Sequence, residues 1–203
     1  MGCSPKGAND RRKNQYAKIL GMDAVTKRIA EHAEKLGVSG LMSEADEKFG
    51  IIPVGDFMET VDLEQPHMWL STHMEMAEAR LAYVVTKLIK TKPEAIADCK
   101  TIAYEEGAKN AVADFPFIED AGQFYKQNVL DGMPCDETME YINMTTDELA
   151  WRKTVDNHGT FWAQAGGSVD TYYDLLDSYV KGLFSESSIR FSEENHEVFH
   201  LKK

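Results

Sequence analysis

The chain has 203 residues, and its 22 Lys and Arg against 34 Asp and Glu give a formal net charge of −12 at pH 7. Apolar residues make up 43% of the sequence, which predicts one soluble domain with a sizeable core. The acidic balance argues against a nucleic-acid partner, because binding phosphates requires a basic face. No window holds the roughly 18 uninterrupted apolar residues that span a bilayer. The first residues also lack the apolar stretch of a secretory signal, so we predict a cytoplasmic protein with no membrane partner.

Positive charge is concentrated at the N-terminus. Five basic residues and one acidic residue give positions 1–20 a net charge of +4, so positions 21–203 carry −16. We interpret residues 1–13 as a basic segment that begins a solvated helix, since no aromatic residues are interleaved with the basic ones. Cys3, Cys99 and Cys135 are scattered, which predicts neither a disulfide framework nor a zinc site and fits a reducing compartment.

Residues 14–134 have apolar residues at the 3.6-residue period of helices. The predicted helices are 14–36, 66–90, 94–112 and 118–130. Gly37 ends the first helix, and Pro66 and Pro93 suit the first turns of the second and third. A loop with a short helical candidate at 43–49 lies between the first two helices.

After Pro134 the period changes, and residues 135–203 are predicted as two hairpins separated by a helix. The predicted strands are 137–143, 148–155, 187–192 and 196–201. Ser168 caps the intervening helix. This order predicts an α+β fold in which the N-terminal helices pack on one face of a four-stranded antiparallel sheet.

Residues suited to acid–base chemistry are concentrated in the last third of the chain. The sequence contains no HExxH, no GxSxG, no phosphate-binding loop and no Rossmann fingerprint. Asp156, Asn157 and His158 follow the second predicted strand, where side chains converge on pockets. Trp162 lies just beyond them among glycines, as in a small-ligand pocket. The alternative is that Asp156 and Asn157 only make a turn and His158 is exposed.

Two predicted helices carry polar residues whose role is open. Asp170, Asp174, Asp177 and Lys181 recur every three or four residues on the last helix, as on a solvated face. The competing interpretation is that this face bounds the pocket and one carboxylate acts as a base or ligand. His73 lies on the apolar stripe of the long helix, either as a hydrogen-bonded core residue or as part of the site.

A metal site is a further hypothesis. His196 and His200 are four residues apart in a predicted strand, so their side chains are expected on the same side. Two imidazoles on one face can bind a divalent metal, and Asp156, His158 or Asp174 would complete the site.

Four short segments of the C-terminal two thirds form one pattern. They are Glu105-Glu106-Gly107, Trp151-Arg152-Lys153-Thr154, the spaced residues Tyr173, Asp177, Lys181-Gly182 and Phe184, and Phe199-His200-Leu201. This pattern, over about residues 75–203, resembles the L-2-amino-thiazoline-4-carboxylate hydrolase family. The resemblance implies a helical-plus-sheet domain and an enzyme that opens a small sulfur- and nitrogen-containing ring by adding water.

The chain departs from this family pattern at three positions. The family has cysteines after the central strand, in the last helix and in the final strand, where this chain has Asp156, Asp174 and Val198. Asp177 matches the family's helix aspartate. Carboxylates in place of thiols favour a changed activity, with water activation or a harder metal.

We therefore hypothesise a hydrolase or related lyase that acts on a non-peptide carbon–nitrogen bond of a small polar molecule. In this hypothesis His158 is the general base, and Asp156 or Asp174 orients it or the attacking water. Arg152 holds an anionic group of the substrate. The other candidate substrate-binding residues are Asn157, Trp162, Tyr172, Asp177 and His73.

The alternative is a non-catalytic small-ligand-binding or regulatory module on the same fold. It predicts a pocket that is aromatic and apolar and lacks a titratable pair. No cofactor is predicted, and a divalent metal stays open with His196 and His200 as its candidate ligands. A homo-oligomer stays open as well, because the apolar helix stripes suit a subunit interface as much as a core.

Overall fold

The computed structural model describes residues 5–203 and has an α+β fold. The helices are α1 (Pro5–Lys35), α2 (Leu41–Phe49), α3 (Phe57–Thr60), α4 (Pro66–Thr91), α5 (Ile96–Ala108), α6 (Ile118–Asn128), α7 (Gly159–Gln164) and α8 (Val169–Leu183). The strands are β1 (Met139–Met144), β2 (Glu148–Lys153), β3 (Arg190–Glu194) and β4 (Val198–Lys202). The predicted fold class is confirmed.

The four strands form one antiparallel sheet in the order β1-β2-β4-β3. Each hairpin supplies two neighbouring strands, and the β2–β4 pairing joins the hairpins, with Trp151 opposite Phe199 and Leu149 opposite Leu201. These side chains are buried, and the Trp151 ring lies 4.8 Å from the ring of Tyr125 in α6. The apolar period of two therefore places the helices on one face of the sheet.

Small residues bring α5 and α8 into close contact. A Cβ added at Gly107 would lie 2.0 Å from the carbonyl oxygen of Tyr179, and one added at Gly182 would lie 2.1 Å from that of Tyr104. Only hydrogen fits at these two positions, so the helix backbones approach more closely than any larger residue allows.

A buried arginine joins the N-terminal helices. Arg80 of α4 is fully buried, and its Nε donates to Asp23 of α1 at 3.1 Å. Its Nη1 lies 2.7 Å from Asp46 of α2 and also donates to the carbonyl of Gly50. Asp23 is only 1% exposed and also pairs with Lys27 at 2.7 Å.

The structure differs from the predicted elements in detail. α1 begins at Pro5, so the predicted basic segment from residue 5 onward is part of that helix; Cys3 and the rest of residues 1–4 lie outside the described residues. The six-residue α7 was not predicted. Along residues 5–203, none of the helices combines the length and the hydropathy that crossing a membrane requires.

Candidate functional site

A buried histidine lies between two carboxylates. His158 is fully buried directly before α7. Its Nδ1 lies 2.9 Å from Oε1 of Glu78 in α4, and its Nε2 lies 3.3 Å from Oδ1 of Asp131 in the loop after α6. The ring stacks on Tyr172 of α8 with 3.7 Å between centroids. Each ring nitrogen thus faces a carboxyl oxygen, and the ring can donate to both only as the imidazolium.

A second cation completes the cluster. Nζ of Lys153, at the end of β2, lies 2.9 Å from the same Oδ1 of Asp131, and the Lys153 side chain is 6% exposed. This ammonium also lies 5.3 Å from the ring centroid of Tyr173. We call Glu78, Asp131, Lys153 and His158 the buried charge network.

The charges of the network shift the pKa values of its members. Burial raises the pKa of Asp131, but the hydrogen bond from His158 and the charge of Lys153 outweigh this effect and lower it to about 2. Burial lowers the pKa of His158, but the charge of Glu78 and the hydrogen bonds to Asp131 and Glu78 raise it above the ordinary 6.5. Asp131 is therefore ionised at neutral pH, and His158 holds its proton more tightly than an ordinary imidazole does.

We expect the His158 ring to lose its proton at a pH above the ordinary value of 6.5. Because its pKa is raised in the folded protein, its stabilising contribution is complete below pH 6.5 and is lost as the pH rises through the raised value. An NMR titration of the imidazole, together with urea denaturation between about pH 6 and about pH 9, measures both effects. A ring that is already neutral at the acid end of this range contradicts the assignment.

An open groove of about 800 Å³ lies beside the network. α1, α6, the loop after α6 and the start of β1 line it. Asp131, with a side chain 13% exposed, lies in its wall and is the member of the network that reaches it. The side-chain amide of Asn14 in α1 donates to the carbonyl of Gln127 in α6 at 2.8 Å, which joins the two helices beside the groove.

Lys18 of α1 lines the same groove. Burial lowers the pKa of its amine to about 8, although the negative charge of Asp131 acts in the opposite direction. Its Nζ donates to the carbonyl of Lys126 at 3.4 Å. Lys18 also borders a small apolar cavity of about 50 Å³ between α1 and α8, which Tyr172 lines from the other side. An amine that titrates near neutral pH beside a permanently ionised carboxylate is suited to moving protons.

The predicted residues around His158 lie near the network without entering it. Oδ1 of Asp156 accepts from the backbone N–H groups of His158 and Gly159, each at 3.0 Å, and so holds the start of α7. Burial raises the pKa of Asp156, but these two hydrogen bonds lower it below its ordinary value. Asn157 is half-buried, and Trp162 is fully buried in α7, edge-on to Tyr172.

The structure does not bring the carboxylates of α8 to His158. Asp174 is exposed and pairs with Lys100 at 3.0 Å. Asp177 pairs with Lys181 at 2.7 Å, as the spacing of four predicts. These residues lie on the solvated face of α8, as their spacing predicts, and the competing interpretation that they bound the pocket with His158 is wrong.

Arg152 and His73 also lie away from the network. Arg152 is exposed on β2, 3.8 Å from Glu140. His73 is half-buried, its Nδ1 lies 2.8 Å from the carbonyl oxygen of Trp69, and its ring stacks on that indole at 3.6 Å. His73 therefore lies in the local packing of α4.

The prediction that His196 and His200 share one strand is wrong. Asn195 and His196 have positive φ angles of 53° and 62° and form the turn before β4, which begins at Val198. The turn residues leave the extended conformation, so the side-chain alternation on which the prediction depended does not apply to His196.

Each of these histidines has its own carboxylates. His196 lies 3.1 Å from Glu193 and 3.3 Å from Asp170, whereas His200 lies 3.0 Å from Glu148 and 3.3 Å from Glu194. Across the described residues 5–203, no group of three or more His, Cys, Asp or Glu side chains is arranged to hold a metal ion.

The fold and the site thus define an α+β protein with a buried charge network beside a groove. No protein-family model, curated protein or solved structure matches the chain. The resemblance to the L-2-amino-thiazoline-4-carboxylate hydrolase family stays a prediction based on the sequence segments quoted above.

Proposed function

We propose that the protein is a small-molecule hydrolase that acts on a non-peptide carbon–nitrogen bond in the groove beside Asp131. The reaction class comes from the family resemblance. The observation that carries the proposal is that Lys18, with a pKa of about 8, and the ionised Asp131 line one groove. A site for hydrolysis needs a group that both accepts and returns a proton at working pH, and Lys18 meets this need.

Lys18 acts first as a base and then as an acid in this proposal. Its neutral amine takes a proton from a water molecule as the water oxygen forms a bond to the carbon of the substrate. The resulting ammonium returns that proton to the leaving nitrogen as the carbon–nitrogen bond breaks, and the bonding pair goes to the nitrogen. Water is thus added across the carbon–nitrogen bond, and the amine of Lys18 returns to its neutral form.

Asp131 binds the substrate and does not take its proton. With a pKa of about 2 it is too weak a base, but it is a fixed acceptor for an N–H group of the substrate. Lys153 and His158 both contact Oδ1 of Asp131 and so hold this carboxylate in place. His158 is therefore a positioning residue in this proposal, and Arg11, which lines the groove, takes the anion-binding role first considered for Arg152.

Replacing Lys18 tests the proposal. Wild-type protein is incubated with L-2-amino-thiazoline-4-carboxylate and a panel of small cyclic amidines, and products heavier by one water are detected by mass spectrometry. We expect the rate to rise with pH and to level off above about pH 8, because the neutral amine is the active form. Lys18→Met is expected to lose about 100-fold or more of the rate.

Lys13→Met is the matched control, because Lys13 is an exposed lysine of the same helix that does not line the groove. It should keep the wild-type rate. A rate that does not change in Lys18→Met, or that falls with pH, contradicts the assignment of Lys18.

The second candidate is a non-catalytic small-ligand-binding or regulatory module. The position of His158 favours it, since a fully buried ring with both nitrogens on carboxylates is closed to a substrate. Saturable binding of panel compounds in the groove, without any product heavier by one water, would support this module in place of the hydrolase.

A further inference from the structure

A second, smaller pocket holds the exposed cysteine. Its volume is about 190 Å³, and its walls include Arg11, Arg12 and Gln15 of α1, His67 of α4, and Met133 and Cys135 of the loop after α6. No member of the buried charge network lines it, and it shares Arg11 and Met133 with the neighbouring groove.

Cys135 has a base within reach. Its Sγ lies 3.6 Å from Nε2 of His67, so the imidazole can take the thiol proton when that nitrogen carries none. The thiol donates to Oδ1 of Asp136 at 3.7 Å, and the other oxygen of Asp136 accepts from the backbone N–H of Met133 at 2.7 Å. Both Cys135 and His67 are exposed, so reagents reach the sulfur.

The pocket wall also contains an unused hydrogen-bond acceptor. Gln15 is 1% exposed, and its Nε2 donates to the carbonyl of Gly132 at 3.0 Å. Its buried Oε1 receives no hydrogen bond within the described part of the chain. A buried acceptor without a donor is costly, and a ligand that brings an N–H or O–H group removes that cost.

We propose that Cys135 and His67 form a reactive thiol site for small carboxylates that carry a hydroxyl or amino donor and an electrophilic carbon. Arg11 and Arg12 supply the positive charge for the carboxylate. Gln15 accepts from the donor group, and the sulfur faces the remaining space. The carboxylate, the hydrogen-bond donor and the electrophilic carbon of the ligand thus each have a counterpart in this pocket.

The covalent step is a displacement. His67 takes the thiol proton, the sulfur of Cys135 forms a bond to the electrophilic carbon, and the bond from that carbon to its leaving group breaks. The leaving group departs with the bonding pair, and the imidazolium gives its proton to solvent. No oxidant or reductant is required.

Alkylation by iodoacetate and by the neutral iodoacetamide tests the proposal, with peptide mass mapping to separate Cys135 from Cys3 and Cys99. At neutral pH we expect the iodoacetate rate at Cys135 to saturate with concentration. We expect it to fall about tenfold in His67→Gln. The double variant Arg11→Gln, Arg12→Gln is expected to lose about tenfold with iodoacetate and less than about twofold with iodoacetamide.

Lys13→Gln removes a charge from α1 outside the pocket. It is the control and should leave both rates unchanged.

Protection by lactate and by propionate tests the role of Gln15, because only lactate has a hydroxyl donor. Lactate should protect Cys135 at about fivefold lower concentration. A rate that increases linearly with iodoacetate and is equal in His67→Gln overturns the reactive site. Equal protection by the two acids overturns the ligand class. All the replaced residues are exposed, so the folded protein is available for each measurement.

Discussion

Replacing Arg80 with Leu is expected to lower the free energy of unfolding by about 3–5 kcal/mol. Arg80 is fully buried and contacts Asp23 of α1 and Asp46 of α2. Its removal leaves Asp23, at 1% exposure, with a single cationic partner in Lys27. A buried carboxylate that loses one of its two cationic partners is only partly compensated for its lost solvation, and this destabilises the fold. Urea denaturation at neutral pH measures the change.

Arg152→Leu is the matched control for this prediction. It also removes an arginine, but its ion pair with Glu140 is exposed on both sides and 3.8 Å long. The expected loss is under about 1 kcal/mol, since solvent screens such pairs. The prediction fails if the two variants lose equal stability. Combining Arg80→Leu with Asp23→Asn should recover part of the loss, because no uncompensated charge remains at that position.

Alanine at Gly107 or Gly182 is expected to destabilise the protein by about 3 kcal/mol, which is at the upper end for overpacking. Alanine favours a helix over glycine, so helix propensity alone predicts the opposite sign. The new methyl group would lie 2.0 Å or 2.1 Å from a carbonyl oxygen of the facing helix, a backbone atom that cannot rotate away. α5 and α8 must then move apart and lose their contact. Thermal and urea unfolding of each single variant measure the effect.

Gly21→Ala provides the comparison within the same chain. Gly21 lies inside α1, and a Cβ there would meet only the hydroxyl of Tyr179 at 3.9 Å, an ordinary contact. This variant should gain up to about 1 kcal/mol of stability, because alanine restricts the unfolded chain and has the higher helix propensity. Equal effects at Gly21 and Gly107 would show that the close approach of α5 and α8 is not what requires glycine.

Periodicity alone predicted most of the fold. The apolar period of 3.6 located the long helices, and the change to alternation after Pro134 located both hairpins. α7 was not predicted, because six residues are too few to show a helical period. The glycines that flank it, Gly159, Gly166 and Gly167, are also typical of a loop. The last strand was predicted to begin two residues too early, since alternation along the sequence does not reveal that His196 has a positive φ.

The site was predicted only in part, for a physical reason. His158 was singled out, but its carboxylate partners are not the neighbouring Asp156 or Asp174. They are Glu78, 80 positions away, and Asp131, 27 positions away. Such pairings depend on how α4 packs against α7 and on where the loop after α6 lies, and the spacing of residues along one element carries no information about that packing. Lys18 gave no signal either, because an ordinary lysine of an amphipathic helix acquires its lowered pKa only from its surroundings in the fold.

The placement of α1 has a consequence for the order of folding. The N-terminal part of this helix is fixed by contacts with residues more than 100 positions later, including the hydrogen bonds from Asn14 to Gln127 and from Gln15 to Gly132. A growing chain cannot close these contacts until most of the protein has been synthesised, and contacts of such high sequence separation form slowly. The groove and the cysteine pocket, which both use α1 as a wall, are therefore assembled late, and either cavity is a sensitive reporter of the last steps of folding.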